Sequence, residues 1–103
     1  MGSTTYYVSE PPKTIEQLID DKATEYQVSA DLMRKIIHCE SSGNPNAVGD
    51  GGYSHGLVQI HLPSHPYVSE GQALNPEFAI NFLAENLSKG KGAMWTCYRM
   101  LMQ

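Results

Sequence analysis

Residues 41–56 cannot continue a helix. Ser41-Ser42-Gly43-Asn44-Pro45 is a cluster of helix breakers, and the rest of the stretch stays rich in Gly, Asn, Ser and Asp. Asp50-Gly51-Gly52 inside it is a turn signal. An uninterrupted helical bundle is therefore excluded. The stretch reads as an ordered loop or a short, irregular hairpin placed between helical segments.

The segments on either side carry helical periodicity. Thr14-Ile15-Glu16-Gln17 is a capping box, and Ile15, Leu18, Ile19, Ala23 and Tyr26 follow at helical spacing, which predicts a helix over 15–27. Ser29 caps a second helix, with Asp31 in its first turn complementing the dipole. Leu32, Met33, Ile36 and Ile37 form its apolar stripe. The next position on that stripe is Glu40, a carboxylate where the pattern asks for an apolar residue. Gly56-Leu57-Val58-Gln59-Ile60 is an apolar segment that suits a short helix or a strand, and Pro63 and Pro66 mark another loop. Asn75-Pro76-Glu77 opens a further helix, with Ala79, Phe82, Leu83 and Leu87 on its buried face and Gly90 and Gly92 ending it. A last helix of about 93–102 carries Trp95, Tyr98 and Leu101. The fold class is mainly α (α+β), with a small loop or β excursion after the second helix. Residues 1–13, closed by Pro11-Pro12, read as a tail, and 14–103 as the domain.

With 103 residues, 41% of them hydrophobic, the chain suits one domain with a packed core. No apolar run approaches the roughly 20 residues of a membrane span. The sequence also lacks a signal peptide, and Met1-Gly2-Ser3 reads as the start of a trimmed chain. The net charge of −4 argues against a nucleic-acid partner. Cys39 and Cys97 are either one bridge or two buried free thiols. A bridge would stabilise by roughly 4 kcal/mol on the chain-entropy model and would imply an oxidising compartment.

Glu40 is the first candidate for chemistry. Burial beside an apolar stripe disfavours its charged form, which suits a general acid near neutral pH. Glycosidases use such an acid to protonate the leaving oxygen of a sugar linkage. The plain alternative is a helix-end Glu that bends toward solvent. Tyr53 and Tyr67 are candidates for sugar stacking, with Tyr53 expected at a cleft and Trp95 in the core. His38, Cys39, His55, His61 and His65 raise a metal alternative. Pro63 and Pro66 work against a helical His61-x-x-x-His65 pair, and no H-E-x-x-H is present. No metal or cofactor is expected.

The stretch Glu40-Ser41-Ser42-Gly43-Asn44-Pro45-Asn46-Ala47-Val48, followed by Gly56-Leu57-Val58-Gln59-Ile60, resembles the signature of the lysozyme-like superfamily. It looks most like the soluble lytic transglycosylase domain and its goose-type lysozyme relatives. There a helix-terminal Glu begins E-S-x-x-N-P-x-A-V, and G-L-M-Q follows about a dozen residues later. The helix before the motif and the N-P-E-F-A-I-N-F-L helix after it are similar too, so the resemblance covers roughly residues 15–100.

The resemblance implies a compact lysozyme-like domain that cleaves the β-1,4 bond between N-acetylmuramic acid and N-acetylglucosamine in peptidoglycan. Glu40 matches the catalytic acid, Gln59 a glutamine lining the sugar cleft, and Gly56 a glycine that lets the backbone approach it. The family pattern usually has Ser where this chain has Gly49, and Ser54 is the candidate for that role toward a substrate acetamido group. Asp50 matches the water-positioning aspartate of the goose-type pattern, and His61 occupies its other aspartate position. Asp50 also reads as a plain turn-former.

These residues bear on mechanism. A lytic transglycosylase needs one Glu, acting as acid and then as base, and leaves an anhydro end. An inverting hydrolase needs a second carboxylate, with the carboxyl groups roughly 6.5–9.5 Å apart. The implied partner is peptidoglycan or a related N-acetylglucosamine-containing glycan, met outside the cytoplasm as a secreted, periplasmic or wall-associated monomer. The competing readings are a non-catalytic glycan-binding module on the same fold and a metal-dependent or structural protein.

Overall fold

Two helices lie before the breaker-rich stretch and three after it in the computed structural model, which describes residues 11–103. Of the tail expected over residues 1–13, residues 1–10 lie outside the described residues. Helix α1 runs Ile15–Tyr26 from a Thr14–Gln17 capping box and ends at Gln27, whose left-handed backbone (φ 55°) closes the last turn. The helix is therefore one residue shorter than expected. Helix α2, Ala30–Ser41, starts at Ser29, whose hydroxyl accepts from the Leu32 N–H. It ends at Ser42, again left-handed, so the breaker cluster acts where the residues indicate.

A three-stranded antiparallel sheet follows: β1 Val48–Gly49, β2 Ser54–His55 and β3 Ile60–His61. Val48 pairs with His55 and Gly49 with Ser54; Ser54 pairs with His61 and His55 with Ile60. A 3-10 turn at Asp50–Gly52 joins the first two strands. The segment Gly56–Gln59, expected as a short helix or strand, is instead the turn between β2 and β3. Gly56 and Gln59 take positive φ (84° and 51°), which no continuous helix or strand accommodates. Leu57 and Val58 at its tip are fully buried, so the apolar pattern there marks an inserted turn.

Helix α3, Glu70–Leu74, was not expected; Ser69 and Gln72 form its capping box. Helix α4, Pro76–Ser88, has Asn75 as N-cap and buries Ala79, Ile80, Phe82, Leu83 and Ala84. The single helix expected over 93–102 is broken. A 3-10 turn covers Gly92–Met94, and α5 covers Thr96–Leu101. Trp95 between them is extended, because its indole is drawn into the core and its Nε1–H donates to the Val58 carbonyl at 2.8 Å.

The core joins Leu18 and Ile19 of α1, Met33, Ile36 and Ile37 of α2, the Leu57–Val58 turn, α4 and Trp95. Helix α1 packs on α2 and α4, and α5 returns to α2. The protein is thus a mainly helical domain with a small antiparallel sheet inserted after α2. No helix among the described residues is long and apolar enough to cross a membrane.

Candidate active site

The site is built around the last turn of α2. Burial of Ile36 and Ile37 turns the stripe inward, and Glu40 follows it into a half-buried position. Burial pushes its carboxyl above the ordinary carboxylate range. The Cys97 backbone N–H, donating to Oε2 at 3.3 Å, pulls the other way, while the negative charge of Asp50 adds to the rise. Burial therefore shifts Glu40 toward its protonated form relative to an exposed carboxyl.

The neighbours of Glu40 in sequence fix its surroundings. Cys39 is disulfide-bonded to Cys97 in the first turn of α5, which brings α5 against α2. The Ser41 hydroxyl lies 2.7 Å from the Leu57 carbonyl and 3.1 Å from that of Ile37, tying the end of α2 to the β2–β3 turn. A hydrogen bond to the Val58 carbonyl from Trp95 anchors the same turn from the other side.

The sheet carries the second carboxylate. Asp50 sits at positive φ (52°) in the β1–β2 connection. Its Oδ2 accepts a 2.6 Å hydrogen bond from the Ser54 hydroxyl, and Ser54 is only 1% exposed. The Ser54 proton thus points at Asp50. The Gln59 amide donates to the Ala47 carbonyl (3.1 Å) and to the Gly56 carbonyl (2.9 Å), bracing the hairpin internally. Gly49 has a physical reason of its own: a Cβ there would stand 2.4 Å from Gln59 Oε1. At Gly56 the close approach is to α3, where a Cβ would lie 2.0 Å from the Ala73 carbonyl oxygen.

Tyr53 is 60% exposed on the hairpin, with its ring centroid 6.3 Å from that of half-buried His61. His61 Nδ1 is 2.8 Å from Ser64 Oγ, and His65 Nδ1 is 3.2 Å from the Tyr67 hydroxyl. The 3-10 turn at Leu62–Ser64 separates these two histidines. Among the described residues, no three His, Cys, Asp or Glu side chains converge to hold a metal ion. Tyr67 is 74% exposed, whereas Trp95 is core.

The charge of Asp50 reaches Glu40, and Ser54 belongs with Asp50. Gln59 and Gly56 shape the β2–β3 turn. Two contributors were absent from the sequence reading: the Cys97 N–H that holds Glu40 and the Ser41 hydroxyl that holds the turn. The first had a signal, since Cys39 is next to Glu40 in the chain and a bridge to Cys97 carries that residue's backbone to the carboxylate. The Ser41 contact spans elements whose approach no local pattern reveals.

Such an arrangement provides a half-buried carboxyl at the end of a helix, its protonated form favoured by burial, a second carboxylate on a loop whose charge reaches it, and an exposed aromatic on that same hairpin. It can donate a proton to a glycosidic oxygen and take one back. No curated protein and no solved structure matches the chain. The transglycosylase SLT domain family matches over residues 17–99, which include the end of α2, the sheet and Cys97. Activity at the level of that family is of the lytic transglycosylase type, on peptidoglycan. The match spans most of the sequence, and the chain belongs to the transglycosylase SLT domain family.

Proposed function

We propose that the protein cleaves the β-1,4 bond between N-acetylmuramic acid and N-acetylglucosamine, with Glu40 as the acid and then the base. The observation that carries this reading is the half-buried Glu40 carboxyl, biased toward its protonated form and held by the Cys97 N–H. Glu40 protonates the bridging oxygen as the bond to the muramyl C1 breaks. Positive charge develops at C1, and the muramyl C6 hydroxyl attacks it. The Glu40 carboxylate takes the hydroxyl proton and is restored. One bond breaks, one forms, and no water is consumed, so the product carries an anhydro end.

Tyr53 and His61, side by side on the hairpin, offer the sugar a ring face and a polar edge. Gln59 and Gly56 act by holding the shape of the turn, and Ser54 acts through Asp50. The domain is assigned to residues 14–103, works as a monomer, and meets its substrate outside the cytoplasm, where the Cys39–Cys97 disulfide is stable.

A hydrolytic reading is favoured by one observation, the charge of Asp50 reaching Glu40. In that case Asp50 would position water against the opposite face of the sugar ring. Mass spectrometry of products from purified peptidoglycan separates the two. Anhydro-muramyl ends, one water lighter than hydrolysed ends, support transglycosylation. Reducing ends make the enzyme a lysozyme. Absence of any product from folded wild type, with glycan still bound, would leave a non-catalytic binding module. Glu40→Gln run beside it should yield no product.

A further inference from the structure

Ser54 and His55 make up β2, and both are buried polar residues, at 1% and 5% exposure. Neighbours on a strand point to opposite faces. Ser54 serves the side of Asp50, and His55 the side of α3. The mechanism uses the first and leaves the second without a role. A buried polar group that is not satisfied calls for a reason. His55 Nδ1 is shut off from solvent and has no hydrogen-bond partner among the described residues. Its Nε2 lies 3.9 Å from Glu70 Oε1, beyond hydrogen-bond reach.

The ring sits at the seam between the sheet and α3. The next residue, Gly56, approaches α3 so closely that a Cβ there would meet the carbonyl oxygen of fully buried Ala73. The cross-strand neighbours of His55 are Val48 and Ile60, neither of them ionisable. The elements that pack most against β2 are β1, β3, the Asp50–Gly52 turn and α3. Of these, α3 brings Glu70, the turn brings Asp50, engaged by Ser54 on the other face, and β3 brings His61, which pairs with Ser54.

A neutral imidazole has one donor and one acceptor nitrogen, and an imidazolium has two donors. A proton on His55 therefore places a charge in the seam with its Nδ1–H unpaired. The anion facing it is Glu70, whose side chain is 67% exposed. A carboxylate screened by solvent returns little, whereas a buried, half-paired charge is costly. The ring has to reach water, and the tight Gly56–Ala73 contact permits that only if β2 and α3 part. Ser54 is the adjacent residue on β2, so the same movement slackens its hydrogen bond to Asp50.

We propose that His55 is a positioning residue that works as a proton-operated catch. Neutral, it lets α3 lie against β2 and keeps Ser54 on Asp50; protonated, it parts the seam and loosens the site. The effect on turnover rests on the proposed function, in which Glu40, needed in its protonated form, gives no fall in rate toward acid. The parting of the seam does not depend on that reading.

The test compares wild type with His55→Gln, which keeps a polar side chain and does not titrate, on purified peptidoglycan across pH. Between roughly pH 7.5 and pH 5, where histidine takes up its proton, the ratio of variant to wild-type kcat/KM should grow about tenfold. Taking the ratio cancels the titration of Glu40, which both proteins share. A merely structural loss lowers the ratio equally at every pH. In the free full-length protein, NMR should show the His55 ring and the backbone amides of Ser54, Gly56 and Ala73 changing with one midpoint. Glu70→Gln keeps the histidine and removes the carboxylate that faces it, so the same changes should then need more acid. That variant carries the test if His55→Gln does not fold. A ratio that stays level across pH overturns the proposal, as does a His55 titration that leaves the three amides unmoved. The amide test needs no turnover, so failure of the catalytic reading would show separately, as wild type whose seam responds to acid and which cleaves nothing.

Discussion

The backbone N–H of Cys97 donates to Glu40 Oε2 at 3.3 Å, and the side chain of the same Cys97 is bonded to Cys39, the residue just before Glu40. One covalent link therefore holds both the helix that carries the acid and the donor that contacts it. Reduction should act on stability and on the site together. The bridge closes a separation of 58 residues, worth roughly 4 kcal/mol on the chain-entropy model. For a domain of this size that corresponds to a fall in Tm on the order of 15–30 °C. Circular dichroism melts with and without reductant read the first effect. Turnover of the reduced protein, measured well below its Tm, reads the second and should be lower than that of the oxidised form. Equal turnover would mean that α5 stays docked without the bond.

Glu40→Gln should abolish turnover, with a loss of about 10²–10⁴-fold or more. It should also change how stability depends on pH. The folded Glu40 carboxyl has a higher pKa than the unfolded one, so the native state holds the proton more tightly. Its contribution to stability is fully present below the unfolded value and is lost as pH rises through the interval up to the folded value. Gln does not titrate, and its carbonyl still accepts from Cys97. The Tm of the variant relative to wild type should therefore rise from acid to neutral pH. A flat difference would show that burial does not raise the wild-type carboxyl.

Asp50→Asn tests the neighbouring charge. Its removal lowers the Glu40 pKa, since the Asp50 charge now helps to raise it. The alkaline limb of the rate profile, where the acid loses its proton, should move to lower pH. If the products carry anhydro ends, the rate at the optimum should change only a few-fold. Collapse of that rate, with reducing ends in the wild-type products, would assign water positioning to Asp50.

Gly49→Ser restores the residue usual in the family pattern, and it should not help. Its Cβ would meet Gln59 Oε1 at 2.4 Å, and the Gln59 amide is held by the Ala47 and Gly56 carbonyls. Displacing it should cost about 1–3 kcal/mol, as overpacking does elsewhere. Urea unfolding gives the value, and an unchanged midpoint would show that Gln59 moves aside freely.

Trp95→Phe keeps most of the apolar volume and removes one donor. The Val58 carbonyl in the buried turn then loses the indole N–H that reaches it at 2.8 Å. A loss of about 1–3 kcal/mol is expected for an acceptor left unsatisfied. A loss well below that would mean that solvent reaches the carbonyl.

Helices α1, α2 and α4 were legible because each combines a cap with an apolar stripe, and the out-of-pattern Glu40 was legible for the same reason. The turn Gly56–Gln59 was not, because Leu57 and Val58 are as apolar as a strand, and only the positive φ of Gly56 and Gln59 separates the two. Helix α3 had a signal in Ser69 and Gln72, obscured by Gly71 and by the nearby Pro66. The break at Trp95 comes from a tertiary hydrogen bond to Val58, which local periodicity does not encode. At the site, candidate side chains were identifiable by type, but their partners were not. Ser54 is committed to Asp50 through a turn whose backbone geometry is set by Asp50 and Gly51 at positive φ.

The acid and its backbone donor are 57 residues apart in the chain. At ~5–20 residues per second, a ribosome adds Cys97 about 3–11 s after Glu40. For that interval the nascent chain carries the carboxyl without the group that will hold it. Assembly of the site is therefore a late event in the life of each molecule, ordered by the direction of synthesis and completed by oxidation.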